Sequence, residues 1–217
     1  MHAPPVYRGD LPWQAEGVLG PVFVGPLTEF HLRSGAQVEV LHNACVAVRY
    51  PIEPDAGGNA VVDLSHRPKQ ELVGGLTGER LTAVLGIDPP VRSIRSHQGA
   101  DVYRLTRNRA VVFGSLPAID GALRATGGWA SLALVGPDRE RILQKITAVD
   151  VRERTLPVGG CCQGPIFGVN TLFGRLADRF ELHVPSDAGE FFLGVVLDAG
   201  AEFGLMPAGS SFLPPST

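Results

Sequence analysis

A chain of 217 residues, 44% hydrophobic and 19% charged, is long enough for one substantial core or two small packed halves. Its net charge of −3 supplies no basic face for nucleic acid, and no apolar run approaches the ~20 residues of a membrane-spanning helix. Three cysteines, two of them adjacent, do not make a disulfide framework; with a start (MHAPPVYRGDLPW) that lacks a charged region followed by an apolar core, they lead to the expectation of a cytoplasmic protein without a secretory signal.

Residues 1–25 read as an arm, because Pro4, Pro5, Pro12 and Pro21 interrupt any regular element while Trp13 and Val22-Phe23-Val24 offer apolar contacts. Pro26 to Gly35 predicts a short helix with Leu27, Phe30 and His31 on one side and Gly35 as terminator. Ala36 to Tyr50 alternates through Val38, Val40, Val46 and Val48 and predicts one or two strands. A Pro/Gly/Asp loop follows, then a strand over Ala60 to Leu64 that closes on Ser65-His66.

From there the chain repeats itself. Leu72, Gly74, Leu81, Val84 and Asp88 precede Leu134, Gly136, Leu143, Ile146 and Asp150 at one constant offset. Ser131 to Asp150 shows the pattern most plainly: alternating Leu132 and Leu134, a Gly136-Pro137 turn, then Ile142, Leu143, Ile146 and Val149 on one helical face. A second matched pair follows, Arg104-Leu105 leading into Ala110–Phe113 and Arg175-Leu176 leading into Phe180–Val184. Each pair then predicts a helix, Pro117 to Ala125 and Asp187 to Ala199, the latter with Asp187 and Glu190 at capping-box spacing. The expected fold is therefore α+β, an internal duplication of strand–helix–strand–strand–helix units with halves at about 60–127 and 128–209, and a frayed tail over 210–217.

The chemistry-bearing motifs are sparse. Gly74-Gly75 and Gly159-Gly160 lack the spacing of a nucleotide-binding loop, the six histidines show no metal-ligand spacing, and no metal is expected. Cys161-Cys162 has no basic neighbour and reads as packing. Asp63, Ser65 and His66 are neighbours in sequence, which is not how a nucleophilic triad is built; Ser65 reads as a turn cap. Asp101 closes a polar stretch, Asp88 to Ala100, just before an apolar strand, and a carboxylate at the mouth of two packed sheets is placed to accept a proton or orient an amine.

In order along the chain, Pro26-Leu27, Phe30-His31, Gly35-Ala36, Val62-Asp63-Leu64-Ser65-His66, Gly99 to Leu105, Phe180 to Pro185 and Gly204 to Gly209 resemble the motifs of the aminomethyltransferase family, the glycine cleavage T-proteins and their relatives. The resemblance covers residues 26–209 and implies two related ferredoxin-like halves around a central cavity. It implies tetrahydrofolate as cofactor, an amine or one-carbon substrate, and Asp101 as the catalytic acid. Tyr50, His66 and His97 would line the mouth, and Arg104 or Arg175 would bind a carboxylate. One departure stands out: where the family carries a Gly-Tyr-Thr-Gly-Glu loop that anchors the pterin, this chain has Leu176-Ala177-Asp178-Arg179. Leu156 to Gly159 and Phe180 to Pro185 also resemble the gamma subunit of heterotetrameric sarcosine oxidase, which implies flavoprotein partner subunits as the alternative to a homo-oligomeric enzyme. A third alternative is a pathway-specific enzyme that reuses the fold without folate.

Overall fold

The computed structural model describes residues 21–213. Most of the predicted arm, Trp13 included, lies outside the described residues. Its last part does not: Phe23 bridges Ala44 through backbone hydrogen bonds to Asn43 and Cys45. Helix α1 (Thr28–Arg33) falls inside the predicted span and stops where Gly35 turns left-handed at φ 73°. The alternating stretch forms two strands, β1 (Gln37–Leu41) and β2 (Ala44–Arg49), paired as an antiparallel hairpin.

Two larger sheets follow. The first unit comprises β4 (Lys69–Val73), α2 (Thr77–Leu85), β5 (Ser93–His97), β6 (Ala100–Thr106) and β7 (Arg109–Phe113), with β8 (Leu123–Arg124) added at the edge in the order β5-β6-β7-β4-β8. The second comprises β9 (Trp129–Val135), α3 (Arg139–Ile146), β10 (Cys161–Ile166), β11 (Val169–Arg175) and β12 (Arg179–Pro185). It is extended by β3 (Ala60–Asp63) and β13 (Met206–Ala208) in the order β10-β11-β12-β9-β3-β13. The four strands of each unit therefore lie in one order. Registers match as well: Leu72 pairs with Ala110 and Leu134 with Phe180, while Lys69 pairs with Phe113 and Ser131 with His183.

Each sheet buries one face against helices. Leu72, Leu81, Val102 and Ala110 form one core with α2; Leu134, Leu143, Phe173 and Phe180 form another with α3 and α4 (Gly189–Gly200). Burial of these helix-facing layers stabilises the fold at ~25 cal/mol per Å² of apolar surface removed from water. Gly136 is required by close approach: its φ is 109°, and a Cβ would lie 2.4 Å from Asn59 Oδ1. Asn59 bonds Asp138 in both directions, its Nδ2 donating to Oδ2 at 3.0 Å and its Oδ1 accepting from the amide at 3.0 Å.

Four expectations are corrected. Pro117 to Ala125 is not a helix; Gln70 holds it as a loop by accepting from the Ile119 amide at 2.8 Å and donating to Pro117 O at 3.0 Å, and β8 closes it. The polar stretch before Asp101 contains β5, a strand without apolar alternation, because its amides find backbone partners: Ile94 N donates to Gly159 O at 2.6 Å and Ser93 bridges Gly160. The predicted tail begins ordered, with a 3-10 turn over Ser210–Phe212 and Ser211 Oγ donating to Val48 O at 2.7 Å. The helix over Gly189–Gly200 forms without the predicted capping box: neither Asp187 nor Glu190 caps it, and Glu190 pairs instead with Arg33. Among the described residues, no helix is long and apolar enough to cross a membrane.

Candidate functional site

The faces turned away from the helices meet at a seam. Ile94, Tyr103, Leu105, Val111 and Phe113 of the first sheet pack on Trp129, Cys161 and Leu172 of the second. Tyr103 fits against Gly174, where a Cβ would lie 2.7 Å from Tyr103 Cε1. Phe113 and His183, matched positions by register, stack with ring centroids 3.8 Å apart at 16°.

A charged network crosses this seam. Glu181 is fully buried, at 0% exposure. Its Oε1 accepts from Arg67 Nη1 at 2.9 Å and Arg179 Nε at 3.0 Å, and its Oε2 accepts from the Tyr103 hydroxyl at 2.9 Å. Arg67 continues outward: Nη2 donates to Asp101 Oδ2 at 2.7 Å and to Phe113 O at 3.1 Å. Asp101 Oδ1 accepts from Ser96 Oγ at 2.6 Å. Burial works against the Arg67 charge, yet Glu181 and Asp101 hold its pKa above the ordinary arginine value. Burial and then Glu181 push the Tyr103 hydroxyl well up, so it remains a donor.

Behind the network sit two further polar groups. Lys69 Nζ donates to Ser65 O and Arg67 O, both at 2.9 Å, and pins the turn that carries Arg67. Burial pulls the Lys69 pKa down to about 7. His183 Nδ1 is 3.0 Å from Ser131 Oγ, and Ser65 Oγ accepts from the Ser131 amide at 3.0 Å. Burial, then Lys69 and Arg67, drive the His183 pKa well below its ordinary value, leaving a neutral ring.

Two clefts open on either side of Arg67, Gly99 and Arg179, which line both. The first, about 530 Å³, has Asp101, Ser96 and His97 on one wall and Leu176 to Arg179 on the other. The second, about 450 Å³, includes His42, His66 and Ser115. No Phe, Tyr or Trp lines either cleft among the described residues.

The sequence-predicted residues are thus distributed unevenly. Asp101 and His97 line the first cleft and His66 the second, its pKa lowered by burial. Asp101 lies within β6 rather than at the end of a loop. Tyr50 is away from both clefts: its hydroxyl bonds His31 Nδ1, whose Nε2 is 2.9 Å from Asp63 Oδ2, and this chain ties α1 to β3. Burial would raise the Asp63 pKa, but His31 and Ser65 hold it below the usual carboxylate range. Asp63 and Ser65 therefore have partners other than His66.

Arg104 and Arg175 are corrected outright as carboxylate binders for the cleft. Both point from their strands toward the helix side, because residues alternate across a strand. Arg104 pairs with Asp88 at 3.1 Å, and Arg175 pairs with Glu140 and donates to Val151 O at 2.6 Å. Cys161 and Cys162 are packing residues, with burial pushing their thiols up to about 12 and about 11.

Sequence reasoning missed Arg67, Glu181, Lys69 and His183. A glutamate and a histidine at alternate positions of an otherwise apolar strand, Phe180-Glu181-Leu182-His183-Val184, was the available signal, since charged groups in such a strand are buried only with partners. Among the described residues no His/Cys/Asp/Glu cluster could hold a metal ion.

Comparison with known proteins places this geometry in a family. A segment of 35% identity over 103 residues matches the sarcosine oxidase subunit alpha of Rhizobium meliloti (strain 1021), covering 43% of this chain and 10% of that protein. Another of 35% identity over 82 residues matches the aminomethyltransferase of Listeria monocytogenes serotype 4a (strain HCC23), covering 36% of this chain and 22% of that protein. The chain thus spans only a small part of the curated relatives it matches. Among solved structures, the glycine cleavage system aminomethyltransferase T from Bartonella henselae superposes with a TM-score of 0.71 at 18% identity, over 88% of this chain and 60% of that one. A chain of the heterotetrameric sarcosine oxidase from Corynebacterium sp. U-96 superposes with a TM-score of 0.65 at 15% identity, over 82% of this chain and 95% of that one. Residues 96–213 match the model of the GCVT N-terminal domain, and the chain belongs to that family.

Proposed function

We propose that this chain is a non-catalytic, cytoplasmic subunit of a heteromeric flavin-dependent amine oxidase, a duplicated scaffold built from the family fold. One observation carries the reading: both Asp101 oxygens are committed within the chain, Oδ2 to Arg67 at 2.7 Å and Oδ1 to Ser96 at 2.6 Å, and Arg67 is anchored on the buried Glu181. An amine arriving in the cleft must first break an ion pair whose far end sits in the core. Removing one partner of such a pair leaves an uncompensated charge, which costs about 3–5 kcal/mol. The agreement in size with one chain of a heterotetrameric oxidase supports the same reading.

Tetrahydrofolate does not fit the residues present. A pterin needs an apolar or aromatic wall and free polar groups for its edge. Aliphatic side chains do line the clefts, Ile94, Val158 and Leu176 in the first and Leu41, Leu64 and Leu213 in the second, but the polar requirement is unmet: Glu181 is saturated by Arg67, Arg179 and Tyr103, and the seam is filled by the Phe113–His183 stack. Calorimetric titration with tetrahydrofolate is expected to give no heat; a saturable heat with a thermal shift would overturn this part. The assembly is tested by purifying the tagged chain from the cells that make it. Flavin-bearing polypeptides co-eluting in fixed stoichiometry are expected, and a chain that elutes alone and turns over small amines contradicts the proposal.

A second reading, a stand-alone enzyme for a small amine or one-carbon substrate that dispenses with folate, is favoured by the first cleft itself. Its volume of about 530 Å³ falls in the range of small-molecule sites, with Asp101 and His97 on its wall. In that case Asp101→Asn would fold normally and lose turnover.

A further inference from the structure

On the far side of α4 from the seam, the tip of the β10–β11 hairpin, the end of α3 and the outer face of α4 enclose a groove of about 750 Å³. Two residues there are chosen against local preference, and nothing among the described residues accounts for either. The first is Phe167. It occupies the first position of a two-residue hairpin turn at φ 46°, followed by Gly168 at φ 81°, where asparagine or aspartate is the ordinary choice. Phe167 is 63% exposed, and its ring centroid stands 6.2 Å from that of Phe191, itself 56% exposed on α4. The second is Gly194, in the middle of α4, where glycine costs roughly 1 kcal/mol relative to alanine. A Cβ at Gly194 would meet nothing within 4 Å.

An exposed aromatic pair beside a helix position left bare for no internal reason marks a surface shaped for close approach by another polypeptide. The rim decides which one. Glu190 and Asp198 flank the apolar floor; Glu190 is held by Arg33 and Lys145 by Glu202 and Ala199 O, whereas Asp198 has no ion-pair partner among the described residues. A second copy docked by two-fold symmetry presents the same patch, whose cations Arg33 and Lys145 are already engaged, and so brings no free charge to meet Asp198.

We infer that this groove is the docking site for the partner subunit, which inserts an apolar side chain between Phe167 and Phe191, over Gly194, flanked by an arginine or lysine facing Asp198. The inference rests on the subunit reading above and adds the surface and the chemistry of the partner's segment.

The test places the photo-crosslinking residue p-benzoylphenylalanine at Phe191 of the full chain in the cells that make it, with Leu123, exposed on the opposite unit, as control. The expected result is an adduct from position 191, and not from 123, to a flavin-bearing polypeptide at a peptide with arginine or lysine beside an apolar residue. An adduct joining two copies of this chain overturns the inference, as does no adduct from 191 when flavin-bearing polypeptides still co-purify; that second outcome leaves the subunit reading standing. If nothing co-purifies, the subunit reading fails and this inference with it. Two variants separate docking from folding. Gly194→Ala should raise the melting temperature of the isolated chain, and Gly194→Leu should keep its fold and weaken association with the co-purified partner at least tenfold. Unchanged association for Gly194→Leu contradicts the proposal.

Discussion

The two units share their helix sides and differ at their seam sides. On the helix side, Arg104 and Arg175 occupy matched strand positions, and each reaches an acid beside the start of its unit's helix, Asp88 near Gly78 of α2 and Glu140 in the first turn of α3. On the seam side, register pairs unlike residues: Val111 with Glu181, Phe113 with His183, Tyr103 with Gly174, Lys69 with Ser131. The helix side must bury an apolar layer in both units, so one solution serves twice. At the seam the two faces pack against each other, and identical residues would clash or bring like charges together; a small residue opposite a large one, and one acid among several donors, solve the problem once.

The largest effect is expected at the acid that only one unit has. Glu181→Gln should destabilise the chain by about 3–5 kcal/mol in equilibrium denaturation, because Arg67 and Arg179 lose their shared counter-charge in a buried site. Val111→Ala, at the matched position, removes apolar contacts alone and should fall well short of it.

The next difference is one of pH. Burial lowers the Lys69 pKa to about 7, whereas an unfolded lysine titrates near 10.4. Between those values the unfolded chain binds the additional proton, so stability should rise with pH from about 7 to about 10 and show no Lys69-dependent slope below 7. Lys69→Met should abolish that slope. A wild-type curve that falls across the same window would refute the neutral buried lysine.

Gly174→Ala should cost about 1–3 kcal/mol, since the added Cβ would lie 2.3 Å from Ile94 Cδ1 and 2.7 Å from Tyr103 Cε1. Ile94→Ala should recover part of that loss in the double variant, because the two sites touch. The smallest effect belongs to the shared side: Arg104→Met should change stability by less than about 1 kcal/mol, because its partner Asp88 is 44% exposed.

The strands around Leu72, Leu134 and Phe180 and the helices over Thr28–Arg33, Thr77–Leu85, Arg139–Ile146 and Gly189–Gly200 were legible because each shows one-sided apolar periodicity. The edge strands Ser93–His97 and Cys161–Ile166 were not, because backbone bonds between them substitute for apolar alternation. The candidate site was half legible. Asp101, His97 and His66 line the clefts, but Arg67, which governs Asp101, is 34 positions from it and 114 from Glu181, a proximity that local spacing does not encode. Arg104 and Arg175 misled for the converse reason: strand alternation turns both toward the helices, one residue away from Tyr103 and Gly174 on the seam.

Asp101 either ends a structural network or begins a reaction. Asp101→Asn, assembled with its co-purifying partners, tests this by two readings on one sample: unfolding free energy of the chain and amine-oxidation turnover of the complex. A structural role for Asp101 predicts a stability loss of about 1–3 kcal/mol, from the weakened bonds to Arg67 and Ser96, with turnover unchanged. Undiminished stability with turnover abolished would contradict it.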